Sequence, residues 1–322
     1  MKSNASLKEI AGILKAAQSI LVFTHTNPDG DALGSAAALC RALRKMGKDA
    51  WAVFTDHIPE YLHFIDDEYF TWDIDLIKNQ DVSICLDCSD YDRFPTLIDK
   101  FNDGKTKLCV DHHATADGFG DYYYVDSDAA ATCELAYMLM VEMGAEIDKT
   151  IAESIYAGIN TDTGSFRYSN ATSQTHRITA ELMEYGIDHT SINVKLYQTI
   201  GLAKMRIQAA SLDKAEFLYD GKVALGFVTD EMLKKASATV DDADDNVDML
   251  RNIEGVEMAV FLKEKGDNVK VSMRSKSYAN VNEIAASLGG GGHAKAAGCT
   301  LEMSMEDAIE TMKKALEDYW QN

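Results

Sequence analysis

The chain has 322 residues, 46% of them apolar and 26% charged, and a net charge of −21 from 31 basic and 52 acidic side chains. That length favours two domains over one, with an ample core, and no apolar run approaches the roughly 18 residues of a membrane span. The acidic balance disfavours long nucleic acid, whose affinity rests on many Lys/Arg–phosphate contacts, but leaves room for a short substrate held at one local positive site.

The N-terminal segment MKSNASLKEIAGILKAA lacks a long apolar stretch and reads as an amphipathic helix rather than a signal peptide. The expected location is therefore the cytoplasm. Strand-like runs follow at 20–25, 50–54, 82–88 and 107–111, and helical patterns at 31–46, 131–143, 148–159 and 173–186. This alternation predicts an α/β fold, a mostly parallel sheet with helices on both faces, over residues 1–186. The composition changes near residue 186, and 187–219 reads as a helical linker. Residues 220–322 then read as a second, smaller α/β domain. Its strand-like runs are 222–228, 257–263 and 269–273, with helices near 230–236, 246–253, 281–288 and 305–319. The acidic run DDADDN at 241–246 reads as a solvated loop or helix cap.

Six cysteines, Cys40, Cys85, Cys88, Cys109, Cys133 and Cys299, all sit in apolar segments. Cys85 and Cys88 form a C-x-x-C, but side-chain alternation along a strand would send them to opposite faces. Reduced, buried thiols are the expectation rather than a zinc or redox pair.

Chemistry-bearing residues collect where apolar runs end or abut a helix. The run 20–23 leads into His25, Asp29 and Asp31, with Gly30 between the aspartates. Asp87 ends VSICLD, Asp111-His112-His113 ends KLCV, and Asp162 lies in YAGINTDTGSFRYS. Strand, ligand-rich loop and helix is how α/β proteins build sites at the carboxyl ends of strands. Aspartates this close repel one another when ionised and call for a cation. A mixed oxygen and imidazole set suits Mn²⁺ or Zn²⁺ better than Ca²⁺. Any one of these residues alone would read as a helix cap or a hydrogen-bonded histidine. In the second half, Gly289 to Gly292 offer backbone that can approach a phosphate, with His293 and Lys295 just beyond. Arg274 ends a strand-like run and can grip phosphate bidentately. Arg93 and Arg167 are weaker phosphate candidates, balanced by structural ion pairs. Tyr122 to Tyr124 read as strand packing before base stacking.

Together these motifs resemble the DHH phosphoesterase superfamily. HTNPDGDALGS, LDCSDYDR, VDHHATADGFG and GINTDTGSFRYS are similar to its four catalytic-domain motifs. SMRS (272–275) and GGGGHAKAAG (289–298) are similar to the signature of the DHH-associated C-terminal domain. The likeness covers essentially the whole chain. It is nearest the standalone two-domain members, the NrnA-type oligoribonuclease/3′-phosphoadenosine 5′-phosphate phosphatases and the related diadenylate phosphodiesterases. It implies two Mn²⁺ ions, with Mg²⁺ or Co²⁺ as substitutes. His25, Asp29 and Asp87 would hold one ion. Asp31, Asp87, His112 and Asp162 would hold the other, with Asp87 bridging. Asp111 and His113 would act beside them, one orienting a ligand and one near the reacting phosphate. Arg274, Ser275, Gly290, Gly291, Gly292 and His293 would bind substrate. Family members often carry an asparagine a few residues after the triplet, where this chain has Ala116, so substrate contacts there would differ.

The implied activity is hydrolysis of short RNA or of a linear dinucleotide such as pApA to mononucleotides, and of 3′-phosphoadenosine 5′-phosphate. A standalone cyclic di-AMP phosphodiesterase is the alternative within the class. A non-catalytic nucleotide sensor is the alternative outside it, opposed by the complete ligand set. The expected partner is a short RNA or dinucleotide, with no long nucleic acid and no membrane. The oligomeric state stays open, a homodimer included.

Overall fold

The computed structural model describes residues 3–65 and 67–320. The chain divides into two compact units at Thr199/Ile200. Residues 187–199 thus fold with the first unit and 200–219 with the second.

The first unit runs α1 (Leu7–Ala16), β1 (Ser19–Phe23), α2 (Gly30–Lys45), β2 (Asp49–Val53), β3 (Phe70–Thr71), β4 (Val82–Leu86), α3 (Ile98–Asn102), β5 (Thr106–Asp111), β6 (Tyr122–Val125), α4 (Thr132–Met143), α5 (Lys149–Asp162), α6 (Ser173–Glu184) and α7 (His189–Asn193). Its strands form one all-parallel sheet in the order β3-β2-β1-β4-β5-β6. Alternate residues of each strand serve opposite faces. Ile20, Val22, Ile84, Leu86, Leu108 and Val110 join the core under α1, α2, α4 and α5. Leu21, Phe23, Cys85 and Cys109 join a second cluster. That second face is covered by Phe101 of α3, by Phe94 between two short 3₁₀ turns and by Phe119 in the loop before β6, whose rings pack edge-to-face and tilted against one another and against Phe23 and Tyr91. Tyr122–Tyr124 lie in β6, paired to β5.

One expectation fails here. Cys85 and Cys88 fall in the same buried cluster with Cys109, not on opposite faces. β4 stops at Leu86, and Asp87 adopts φ 56°, which turns the chain so that alternation no longer holds. All six cysteines are buried and outside disulfides, and burial pushes the Cys85 and Cys109 thiols up.

The second unit runs α8 (Leu202–Asp213), β7 (Glu216–Leu218), β8 (Val223–Val228), α9 (Asp230–Ala236), α10 (Asn246–Arg251), β9 (Met258–Lys265), β10 (Asn268–Ser275), α11 (Val281–Ser287), β11 (Gly291–His293), β12 (Ala296–Leu301) and α12 (Met305–Trp320). Its sheet order is β11-β12-β10-β9-β8-β7; only the β8–β9 pair is parallel. Helices α11 and α12 cover one face. Helices α8, α9 and α10 cover the β8–β9 part of the other. The glycine run, which is not among the expected strands, is in part the edge strand β11. Its partner β12 was also absent from the sequence reading.

Glu257 anchors the connection between β10 and α11. Its buried carboxylate accepts N–H bonds from Ser277, Tyr278 and Ala279 (2.7–3.2 Å) and the Ser277 hydroxyl bond (2.7 Å). Burial alone would raise its pKa, but these donors outweigh it and hold the group below its usual 4.5. A depressed folded pKa gives stability that is present above the unfolded value and lost as pH falls through the folded one. Glu257→Gln should cost the second unit about 2 kcal/mol at pH 7 and flatten its loss of stability below about pH 4.5. Denaturant unfolding at pH 7 and pH 4 checks this; an unchanged pH dependence would contradict it.

Candidate metal centre

In the first sheet the chain passes from β1 outward to β2 and β3, then returns to β4 on the other side of β1. This reversal leaves a crevice beyond the carboxyl ends of β1 and β4, the usual place for a site in an open parallel sheet. The register puts Phe23 beside Cys85 and Leu86 beside Val110, so the three strand ends are level. His25 follows β1, Asp87 follows β4, and Asp111 closes β5 with His112 and His113 next.

The helices bring the remaining carboxylates. Asp29 caps α2, its side chain accepting from the N–H groups of Asp31 and Ala32. Asp31, fully buried, accepts from the N–H groups of Thr132 (2.6 Å) and Cys133 (2.8 Å) at the start of α4, where the helix dipole favours an anion. Helix α5 ends at Asp162 and must lie close to α2. Gly158 allows this: a Cβ there would sit 3.0 Å from the Asp31 Cα and 2.2 Å from the Cys133 Sγ. Gly34 does the same from α2, where a Cβ would meet the Ser154 carbonyl at 2.4 Å.

Asp87 lies at the centre, 2% exposed. Its Oδ2 is 3.5 Å from His25 Nε2. Its Oδ1 is 3.6 Å from His112 Nε2 and 3.7 Å from His113 Nδ1, and accepts from the Thr132 hydroxyl at 3.1 Å. His25 Nε2 also faces Asp29 at 3.9 Å. His112 Nε2 faces Asp162 at 3.2 Å and Asp31 at 3.8 Å. Three groups thus have ligand-capable atoms within 4.8 Å of one another: His25/Asp29/Asp87, Asp31/His112/Asp162 and Asp87/His112/His113.

The hydrogen bonds behind the imidazoles aim them. His25 Nδ1 meets the Thr26 carbonyl at 2.8 Å, and His112 Nδ1 meets the Ala129 carbonyl at 3.3 Å. A carbonyl only accepts, so each Nδ1 carries a proton and each Nε2 faces the carboxylates, the arrangement typical of metal-bound histidine. His113 Nδ1 instead donates to Asp111 Oδ1 at 2.8 Å, leaving Asp111 Oδ2 buried without a partner among the described residues.

The electrostatics show what the cluster lacks. Burial, then the charges of Asp87 and Asp162, push Asp31 well above the carboxylate range. Burial, then Asp87 and Asp29, raise Asp162 to about 8. Burial opposes protonation of His25, but Asp29 and Asp87 outweigh it and raise the group to about 10. The hydrogen bond to Asp111 lifts His113 to about 9, against burial. Left to itself, the cluster gathers protons to offset its negative charge. Divalent cations would do so instead, and the oxygen and imidazole donors fit them.

Other candidates are placed as follows. Arg274 and His293 share a row across the second sheet, each paired with Ala296. Gly291 and Gly292 lie in β11, and Gly290 packs against β12, where a Cβ would meet the Gly298 carbonyl at 2.2 Å. Ser275 is separated from this group. It is buried, on the opposite face of β10, and its hydroxyl donates to the Ala279 carbonyl at 2.8 Å. The Arg93 carbonyl accepts from the Thr26 N–H at 2.7 Å, tying the turn after β4 to the His25 loop. Arg167 donates through Nε to the Gly164 carbonyl. The sequence reading missed Thr132 and the amides of α4, which hold Asp87 and Asp31. A lone threonine at a helix start carries no signal beyond capping.

Residues 19–159 match the DHH family, N-terminal domain, and residues 220–322 match the DHHA1 domain. The bifunctional oligoribonuclease and PAP phosphatase NrnA of Thermus thermophilus is 33% identical over 316 residues, covering 97% of this chain and 94% of that protein. Its Bacillus subtilis counterpart is 29% identical, covering 91% and 92%. Among solved structures, an exopolyphosphatase-related protein from Bacteroides fragilis superposes with a TM-score of 0.91 at 29% identity, covering 97% and 96% of the two chains.

Added Mn²⁺ should raise the thermal midpoint of chelator-stripped protein by roughly 5–10 °C at 100 times the dissociation constant. Asp87→Ala should shrink that shift. A melting curve indifferent to divalent cations would contradict the fit.

Proposed function

The chain belongs to the DHH phosphoesterase family, with a DHHA1 domain as its second unit, and on that premise we propose that it hydrolyses short oligoribonucleotides and linear dinucleotides such as pApA to mononucleotides, and 3′-phosphoadenosine 5′-phosphate, with two Mn²⁺ ions. Hydrolysis of phosphate esters follows from the family itself. The observation that carries the finer reading is Asp87, whose two oxygens face different imidazoles at the head of the sheet.

In this reading His25, Asp29 and Asp87 hold one ion, and Asp31, Asp87, His112 and Asp162 hold its neighbour. Such a pair of cations lowers the pKa of water and offsets charge on phosphoryl oxygens. The chain's own residues keep that arrangement rigid. The Thr132 hydroxyl fixes the Asp87 carboxylate, and the amides of α4 fix Asp31. Asp111 orients His113 and favours its protonated form, so that Nε2 carries a proton a phosphoryl or leaving oxygen can accept. Arg274 and His293 grip a substrate phosphate, a contact strengthened by charge. The names of the T. thermophilus and B. subtilis relatives support the choice of substrates, and the intact set of carboxylates argues against a non-catalytic sensor.

Rates measured side by side in Mn²⁺ on pApA, cyclic di-AMP, 3′-phosphoadenosine 5′-phosphate and RNA of two to five nucleotides test this reading. Linear short substrates should be cleaved to mononucleotides, and Asp87→Ala should lose about 10³-fold in turnover, the equivalent of about 4 kcal/mol. Faster cleavage of cyclic di-AMP than of any linear substrate would shift the assignment to the cyclic dinucleotide. No cleavage of any of the four would defeat the proposal.

A further inference from the structure

Strand β10 turns Val269, Val271 and Met273 toward α11 and α12, so Lys270, Ser272 and Arg274 share the other face. Paired residues on neighbouring strands stand on the same face, and the register resolves this one into rows. Arg274, Ala296 and His293 form the first; Ser272, Gly298 and Gly291 the second; Lys270 and Thr300 the third. On β9 the same face is buried, with Phe261 packed among residues of α8, α9 and α10. Over β10, β12 and β11 it is open, and forms a trough of about 510 Å³ lined by Lys270, Ser272, Arg274, Gly291, Gly298 and Thr300, with His293 in the row at its Arg274 end. Two glycines side by side keep its floor low between the two cationic rows.

The charges in the trough are not neutralised by carboxylates among the described residues, although Arg274 donates one hydrogen bond to the Met273 carbonyl at 3.1 Å. Lys263, across from Lys270, is buried and ion-paired with Asp244. Lys270 is exposed, and among the described residues neither it nor Arg274 forms an ion pair. Two cations thus stand on one face of one strand in a chain whose net charge is −21. Four residues of strand separate them by about 13 Å, farther than a single phosphate can bridge.

We infer that Lys270, with the Thr300 hydroxyl beside it, binds a second phosphate of a short RNA whose first phosphate is gripped by Arg274 and His293. The inference rests on the proposed activity toward short RNA and deepens it. The ligand class is a single-stranded oligoribonucleotide long enough to reach both rows, and the trough gives it an affinity that a dinucleotide lacks.

Binding of end-labelled RNA, a pentanucleotide and a dinucleotide, followed by fluorescence anisotropy with chelator present and over a range of salt, tests this without hydrolysis. Lys270→Gln should weaken the pentanucleotide about fivefold to tenfold. It should also reduce the slope of log Kd against log salt by about 0.7, the share of one single-strand phosphate. The affinity ratio of pentanucleotide to dinucleotide should shrink with it, and Lys270→Arg should restore the wild-type values. Unchanged affinity and slope in Lys270→Gln would overturn the inference. So would equal losses on both lengths, which would assign Lys270 to the first phosphate, or wild-type protein that binds neither RNA. Absence of hydrolysis in Mn²⁺ would instead count against the activity and leave the binding result standing.

Discussion

Repulsion among the aspartates at the head of the parallel sheet is the constraint on which the first unit depends. Asp29, Asp31, Asp87 and Asp162 approach the imidazoles of His25 and His112 closely enough that burial and mutual charge push Asp31 and Asp162 far from their ordinary pKa values. Hydrophobic packing does not produce such a cluster, and without added positive charge it opposes folding. The surrounding structure is arranged to hold it together. The amide groups of α4 hold Asp31, the Thr132 hydroxyl holds Asp87, and glycines at 34 and 158 let α2 and α5 approach. Behind the strand ends, the Phe23, Phe94, Phe101 and Phe119 cluster fixes the turn that follows Asp87.

Much of this is legible in the amino-acid order. Long apolar runs such as VSICL and KLCV have one physical solution in an alternating α/β pattern, a strand buried on both faces, and the groups that follow them must emerge at the same end of a parallel sheet. That logic places His25, Asp87 and the Asp111–His113 triplet together before any coordinates are known. Asp29, Asp31 and Asp162 are less accessible to it, because their convergence depends on helix packing through Gly34 and Gly158. The resemblance to a family filled that gap.

What was not legible has specific causes. Glycine has low strand propensity, so β11 looks like loop until its pairing with β12 is seen. Strand β3 is two residues long and carries no pattern. The clustering of Cys85, Cys88 and Cys109 follows from one left-handed residue, Asp87, which breaks the alternation on which the opposite expectation rested. Ser275 looked like part of a phosphate motif because it adjoins Arg274, yet neighbouring residues on a strand serve opposite faces. Its hydroxyl works inside the fold. The same alternation brings Lys270, four residues before Arg274, onto the open face.

The central claim is that Asp87 joins two cation sites into one centre. Manganese bound per chain, measured by equilibrium dialysis of chelator-stripped protein followed by elemental analysis, tests it most directly. The account predicts two ions for the wild-type chain and fewer than one for Asp87→Ala. A wild-type chain that binds no more than one ion, or an Asp87→Ala chain that still binds two, would contradict it.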